Sequence, residues 1–266
     1  MKPVRKKILW AVVTFFTLIL VVLVALPFVF EDKIKTIAKN ELNKKINAVV
    51  DFEDLDLSFL RSFPHVSLRF SGFSFTGIGD FEKDTMLQSE KIDLTVNIKN
   101  FFKDEGYDIG NLKFDNAKIY FHYLNDGQFN WTSFLKEDTT VIDTTPTRFH
   151  FKLKEFIAEN SNLVYRDDEG DVSVSIEGLH LNVAGNLTAD SSLLKTKLTA
   201  ESLNFSNDGF AYISNVKLKL DADINANINE RIFYLSDNFM QMNDLPFSLN
   251  GWFRTVKGGI AMDFKL

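Results

Sequence analysis

Residues 67–77 read SLRFSGFSFTG, and the alternation in this stretch decides how the rest of the chain is interpreted. Apolar and polar residues alternate up to Gly72, and after it the alternation resumes in the opposite phase. Residues 173–183 (SVSIEGLHLNV) have the same pattern, with Gly178 in the equivalent place. A period of two predicts β-strands with one polar face. The repeat therefore predicts strands that share one local irregularity.

Similar phase slips fall at Asn116 and Asn215. Gly and Asn are the residues that tolerate a positive φ, which a β-bulge or a tight hairpin turn requires. If the slips are bulges, the sheet curls and its apolar inner face forms a groove. If they are turns, the strands are short and form a meander that folds into an ordinary sandwich core. The sequence leaves both alternatives open.

Alternation extends over most of the chain after residue 49. Further runs lie at residues 54–59, 65–76, 91–98, 112–123, 151–165, 172–183, 193–205, 212–228, 231–235, 245–253 and 259–266. No convincing helix lies among them, and parallel pairing would need crossover connections. The sequence therefore predicts a mainly β protein built on a long, curled antiparallel sheet.

The predicted sheet divides into two lobes. Residues 137–147 are rich in Thr and Asp and contain a proline, which is typical of a linker. We expect a first β lobe at 49–136 and a second at 148–266. The alternation continues to the last residue, so the second lobe is expected to be truncated at its C-terminus.

The N-terminal thirty residues predict a membrane anchor. The run 8–30 contains no charged residue and would form roughly 35 Å of helix, which spans a bilayer core. It is longer than the apolar core of a cleaved signal peptide, the competing interpretation. The basic residues precede the run and place the N-terminus in the cytoplasm and the rest of the chain across the membrane. These residues are Lys2, Arg5, Lys6 and Lys7.

Residues 31–48 follow the anchor and predict an amphipathic helix. Its apolar stripe suits a helix packed on the end of the sheet. It also suits a helix that lies in the lipid headgroup layer. The pattern alone leaves both arrangements open.

Composition and residue spacing argue against a catalytic, metal-binding or nucleic-acid-binding role. The chain has no cysteine, and its four histidines lack the spacing of a metal site. No Walker loop, dinucleotide loop or nucleophile elbow is present. The net charge is −6 although the first thirty residues are basic, so the remainder would repel nucleic acid. We expect no enzyme, no metal, no cofactor and no nucleic-acid partner.

Three motifs resemble the N-terminal part of AsmA-like proteins of diderm bacteria. They are SFPHVSLR at 62–69, the segment 84–87 that leads into the strand 91–98, and DGQFNW at 126–131. The family is similar to the TamB and chorein-type bridge proteins. The resemblance implies a single-pass protein of the bacterial inner (plasma) membrane, with its bulk in the periplasm and a β-groove that carries phospholipid toward the outer membrane. It also implies an alternative, a non-enzymatic scaffold or regulator of outer-membrane protein assembly and targeting.

The alternating strands supply candidate lining residues for such a groove. They are Leu55, Leu57, Phe59, Ile92, Leu94, Val96, Ile98, Ile119 and Phe121. The pattern by itself favours a sandwich core for these residues, and the resemblance reverses this preference in favour of the groove. The expected partners are inner-membrane lipid and a phospholipid ligand, with outer-membrane or periplasmic proteins as a further class.

Overall fold

The structure is a computed structural model that describes residues 33, 35–44, 46–58, 65–97, 108–133, 152–186, 191–227, 230–256 and 259–265. The predicted anchor with its basic flank, the linker 137–147, Phe59 and Ile98 lie outside these residues. The described part is mainly β, as the alternation predicts.

Fourteen strands are described. They are β1 (Ala48–Asp51), β2 (Asp54–Ser58), β3 (His65–Gly77), β4 (Thr85–Asn97), β5 (Asp108–Asp115), β6 (Lys118–Tyr123), β7 (Lys152–Asp167), β8 (Val172–Ala184), β9 (Ser191–Asn207), β10 (Phe210–Asn227), β11 (Ile232–Met242), β12 (Leu245–Phe247), β13 (Asn250–Val256) and β14 (Gly259–Lys265). Helix α1 covers residues 35–44, a 3-10 turn covers Gly79–Phe81, and the short helix α2 covers Asn130–Ser133.

All fourteen strands belong to one sheet. The main path runs β1-β3-β4-β5-β7-β8-β9-β10-β11-β13-β14. Strand β2 pairs with β3, β6 pairs with β4 and β7, and β12 pairs with β11. Within the described ranges no second sheet packs on the first, so these strands do not form the two-sheet sandwich that was the alternative prediction.

The prediction of an antiparallel sheet is wrong at β7. Strand β7 pairs in parallel with both β5 and β6, so the sheet is mixed. Parallel neighbours need a long connection that returns the chain to the same end of the sheet. The connection 124–151 between β6 and β7 provides this length, and the alternation pattern of the strands carries no information about it.

The predicted phase slips lie on one line across the sheet, which we call the slip line. The predicted slips Gly72, Asn116, Gly178 and Asn215 all have positive φ, between 50° and 59°. Asn160, which is not among the predicted slips, joins them with φ 45°. Gly72, Gly178 and Asn215 lie inside uninterrupted strands, and at Asn116 the chain passes from β5 to β6 while both pair with β4 and β7. The slips are therefore not hairpin turns, and the meander prediction is wrong.

The slip line keeps the apolar side chains on one face. The rings of Phe70 and Phe73, three residues apart on either side of Gly72, lie 5.9 Å apart. The neighbouring strand β4 also shifts its alternation by one residue, directly opposite Gly72. There Ser89 and Ile92 are buried and the two residues between them are exposed. The two strands therefore keep their register while both insert an extra residue.

Side chains replace the ladder hydrogen bonds that the slips interrupt. The backbone N–H of Gly178 donates to Asn162 Oδ1 at 3.1 Å, and the N–H of Asn215 donates to Asn204 Oδ1 at 2.8 Å. Ser161, which is fully buried, accepts from a backbone N–H and donates to a carbonyl. Buried backbone groups left unpaired would be destabilising, so these polar side chains make the slip line stable inside a sheet.

Helix α1 covers the outer edge of β1. The Asn43 amide donates to the Val50 carbonyl at 2.8 Å and accepts from the Val50 N–H at 2.7 Å, as a neighbouring strand would. Lys35 pairs with Asp54 at 3.0 Å. Of the two arrangements left open for this helix, the structure has it packed on the sheet.

Candidate functional site: the apolar face of the sheet

One face of the sheet carries apolar rows that run across the strands, perpendicular to the chain. Row A joins ten directly paired residues, all apolar. They are Leu55, Phe70, Ile92, Phe114, Ala158, Leu181, Leu198, Leu220, Met240 and Phe247. At about 4.8 Å per strand, row A is about 43 Å long.

Row B lies two residues further from the slip line and crosses eight strands. Its members are Leu57, Leu68, Leu94, Leu112, Phe156, Val183, Thr196 and Ala222. Row C lies on the other side of the slip line and also crosses eight strands. Its members are Val50, Phe75, Leu87, Ile119, Leu163, Ile176, Leu203 and Val216.

Most of the predicted lining residues lie in these rows. Leu55 and Ile92 belong to row A, Leu57 and Leu94 to row B, and Ile119 to row C. Val96 pairs with Val66 beyond row B. The sequence prediction covered only the first strands and missed the continuation of all three rows into β7–β10 and of row A to β12. That continuation depends on the register between strands, which no local pattern specifies.

Phe121 has a different environment from the rest of the predicted set. Its ring stacks on Phe129 at 6.1 Å and lies 5.4 Å from the ring of Trp131. Trp131 is the second residue of α2, and its indole N–H donates to the Tyr120 carbonyl at 2.8 Å. The short helix therefore covers Phe121 and this corner of the face.

The remainder of the face is only half covered. The buried core lies around β1–β6, where residues of α1 and α2 pack on the sheet. Beyond it, most members of rows A and B in β7–β12 are half-buried. Met262, paired with Phe253 near the sheet's end, is 62% exposed. A row in a sealed core would be buried throughout, so the outer strands present an accessible apolar surface.

On strands β3–β7 the opposite face carries paired charges. Arg69 binds Asp93 through two hydrogen bonds of 2.6 and 3.1 Å. Lys113 lies 2.7 Å from Glu159 and 3.2 Å from Asp115. The hydrogen bond from Lys113 lowers the pKa of Glu159, and the same contact raises the pKa of Lys113. Over these strands the sheet is thus apolar on one side and ionic on the other. In β9–β11 the opposite face also exposes apolar side chains, namely Leu193, Tyr234 and Phe239.

A polar cluster where β4 begins and β6 and β7 end was not expected from the sequence. The His122 ring nitrogens lie 2.8 Å from Asp84 Oδ2 and 3.1 Å from Asp168 Oδ2. Arg166 also pairs with Asp168 at 2.6 Å, and these two partners lower the pKa of Asp168. His122 and the two carboxylates that it contacts are far apart in sequence, and spacing rules for metal sites do not detect such a cluster.

No three His, Asp or Glu side chains in the described ranges are arranged to hold a metal ion. Among the helices that the structure describes, none is long and apolar enough to span a membrane. The predicted anchor lies outside those residues.

Together the fold and its rows define a class of protein: a mainly β chain that presents a continuous apolar surface on one face of a single mixed sheet. A model of the AsmA family matches residues 1–252, and the chain belongs to the AsmA family. The resemblance in the three motifs is thereby confirmed. Membership of this family indicates a membrane-associated role in biogenesis of the bacterial envelope. Neither the search of curated proteins nor that of solved structures gave a match.

Proposed function

We propose that this chain holds phospholipid acyl chains on the apolar face of its sheet and contributes to phospholipid transport and outer-membrane biogenesis, without catalysing a reaction. It would do so from an anchor in the inner membrane, with the sheet in the periplasm. The observation that carries the proposal is row A, ten apolar residues in unbroken register, most of them half-buried and none replaced by a polar side chain.

The physical problem in lipid transfer is the exposure of acyl chains to water. Two chains contain roughly 30 methylenes, and at about 0.8 kcal/mol each their exposure costs on the order of 20–25 kcal/mol. A protein that shields them needs a continuous dry surface and no reactive group. Rows A, B and C supply three parallel apolar tracks, and no polar member interrupts rows A and C.

The test measures lipid bound to the full chain, purified in a maltoside detergent, by native mass spectrometry and by lipid extraction. Leu181→Asp places a carboxylate in row A. His180→Asp, the matched control, places it on the exposed opposite face of the same strand. We expect bound phospholipid in the wild type and the control, and at least a tenfold loss in Leu181→Asp, because an unpaired charge is unfavourable among acyl chains.

Two results would contradict the proposal: a folded wild-type chain that carries no phospholipid, or equal lipid content in both variants. Circular dichroism of each variant shows that the sheet is retained. Lipid-free chains would favour the alternative, a scaffold for outer-membrane protein assembly. Strand β14 supports that alternative, because among the described strands it pairs with β13 alone and its other edge could receive a partner strand.

A further inference from the structure

Row B contains one polar residue, Thr196. Its direct neighbours across the strands are Val183 and Ala222, and Leu194 and Leu198 precede and follow it on the same face of β9. Thr196 is only 6% exposed. Its hydroxyl is shut off from water and has no hydrogen-bond partner in the part of the chain that the structure describes.

Three other buried hydroxyls among the described residues have partners. Ser89 donates to backbone carbonyls at 2.8 Å, Ser161 both donates and accepts, and the Ser202 hydroxyl accepts from Asn204 at 3.1 Å. An unpaired buried hydroxyl is unfavourable, and Val would fill the same place in a strand without that penalty. The Thr196 hydroxyl is thus a hydrogen-bond donor that has no acceptor within the described part of the sheet.

The position of Thr196 indicates how a ligand would be oriented on this face. Row A, nearer the slip line, is wholly apolar, and row B lies two residues, about 6.6 Å, further out. Ser192 follows on the same face toward the N-terminal end of β9. A ligand with an apolar tail and a polar end would therefore lie with its tail toward the slip line and its polar end toward the start of β9.

The ligand group that meets Thr196 must accept a hydrogen bond and be neutral. Every other member of row B is apolar, so a carboxylate there would be a buried charge without a partner. A carboxylic ester fits: its carbonyl is a good acceptor, carries no charge and directly follows an acyl chain.

The Thr196 hydroxyl is covered in the lipid-free chain. We propose that a diacyl lipid held on rows A and B moves the covering side chains aside, and that one of its ester carbonyls then accepts a hydrogen bond from this hydroxyl. This inference rests on the proposed function and adds to it both a residue and an orientation. It makes Thr196 a specificity-determining residue that distinguishes ester-linked from ether-linked lipids, because an ether has no carbonyl.

The test is a competition between dipalmitoyl phosphatidylcholine and its dialkyl diether analogue for the full chain in detergent, read by native mass spectrometry. Thr196→Val removes only the hydroxyl. Thr199→Val makes the same change on the exposed opposite face of β9 and is the control. We expect the wild type and the control to prefer the diester by about threefold to tenfold, the effect of one net hydrogen bond. Thr196→Val should bind the two lipids equally.

A second readout uses the lipid-free chain. Removal of an unpaired buried hydroxyl should raise the melting temperature in Thr196→Val and leave it unchanged in Thr199→Val. The inference is overturned if both lipids bind but Thr196→Val keeps the ester preference, or if Thr196→Val melts below the wild type because its hydroxyl was already paired. A wild type that binds neither lipid overturns the proposed function itself.

Discussion

The left-handed backbone at Gly178, on the slip line, predicts how much a Gly178→Ala substitution lowers the free energy of unfolding. This residue has φ +59°, and a Cβ there would lie 2.5 Å from the Glu201 Cγ. Glu201 is exposed and can turn toward solvent, so the main cost is the left-handed backbone, about 1–2 kcal/mol for an L-residue. We expect Gly178→Ala to lower the free energy of unfolding by that amount.

Gly110 offers the matched control. It lies in β5 without a positive φ, and the nearest atom to its Cβ position is 3.7 Å away. At such a site Gly→Ala stabilises by about 0.4–1 kcal/mol, because the unfolded chain loses freedom. Thermal unfolding of the full chain, followed by circular dichroism, should therefore place Gly178→Ala below the wild type and Gly110→Ala at or above it.

A double variant separates the two contributions. Gly178→Ala combined with Glu201→Ala removes the contact and leaves the backbone strain. We expect it to remain about 1–2 kcal/mol below Glu201→Ala alone. If Gly178→Ala were as stable as Gly110→Ala, the left-handed conformation at Gly178 would be refuted, and with it the slip line in β8.

Two further predictions concern the margins of the sheet. Asn43→Ala removes both hydrogen bonds to Val50. It should lower the free energy of unfolding by about 1–3 kcal/mol and speed amide hydrogen exchange at the Val50 N–H. Asn40→Ala, at an exposed position of the same helix, should change neither. Asp168 has a pKa lowered mainly by Arg166, so its stabilising effect is present above the ordinary carboxyl pKa and is lost as pH falls through the lowered value. Asp168→Asn should therefore lower the melting temperature at neutral pH and reduce its decline in acid; an unchanged acid profile would contradict this.

Much of the fold could be predicted because alternation is a local property. The strands on either side of Gly72 and Gly178 follow from apolar residues at every second position. Residue type also located the slips, since Gly and Asn are the residues that accept a positive φ. The choice between bulge and turn could not be predicted, because both use that conformation. It is decided by whether the neighbouring strands continue past the slip, as β4 does at Ser89 and Ile92.

What the sequence could not provide is the pairing between distant strands. The parallel neighbours of β7 depend on the path of the connection 124–151, and row A becomes continuous only when Ala158, Leu181 and Leu198 come into register with the predicted lining residues. Thr196 was missed for a related reason. Thr is common in strands, and only its surroundings across β8 and β10 show that its hydroxyl has no partner.

The central claim is that acyl chains contact one face of the sheet and not the other. It is tested most directly in living cells with a photo-crosslinking amino acid, p-benzoylphenylalanine, placed at Leu198 in row A or at the adjacent, exposed Lys197 on the opposite face. The account predicts phospholipid adducts, identified by mass spectrometry after irradiation, at position 198 and none at 197. Adducts at both positions, or none at 198 in a folded chain, would contradict it.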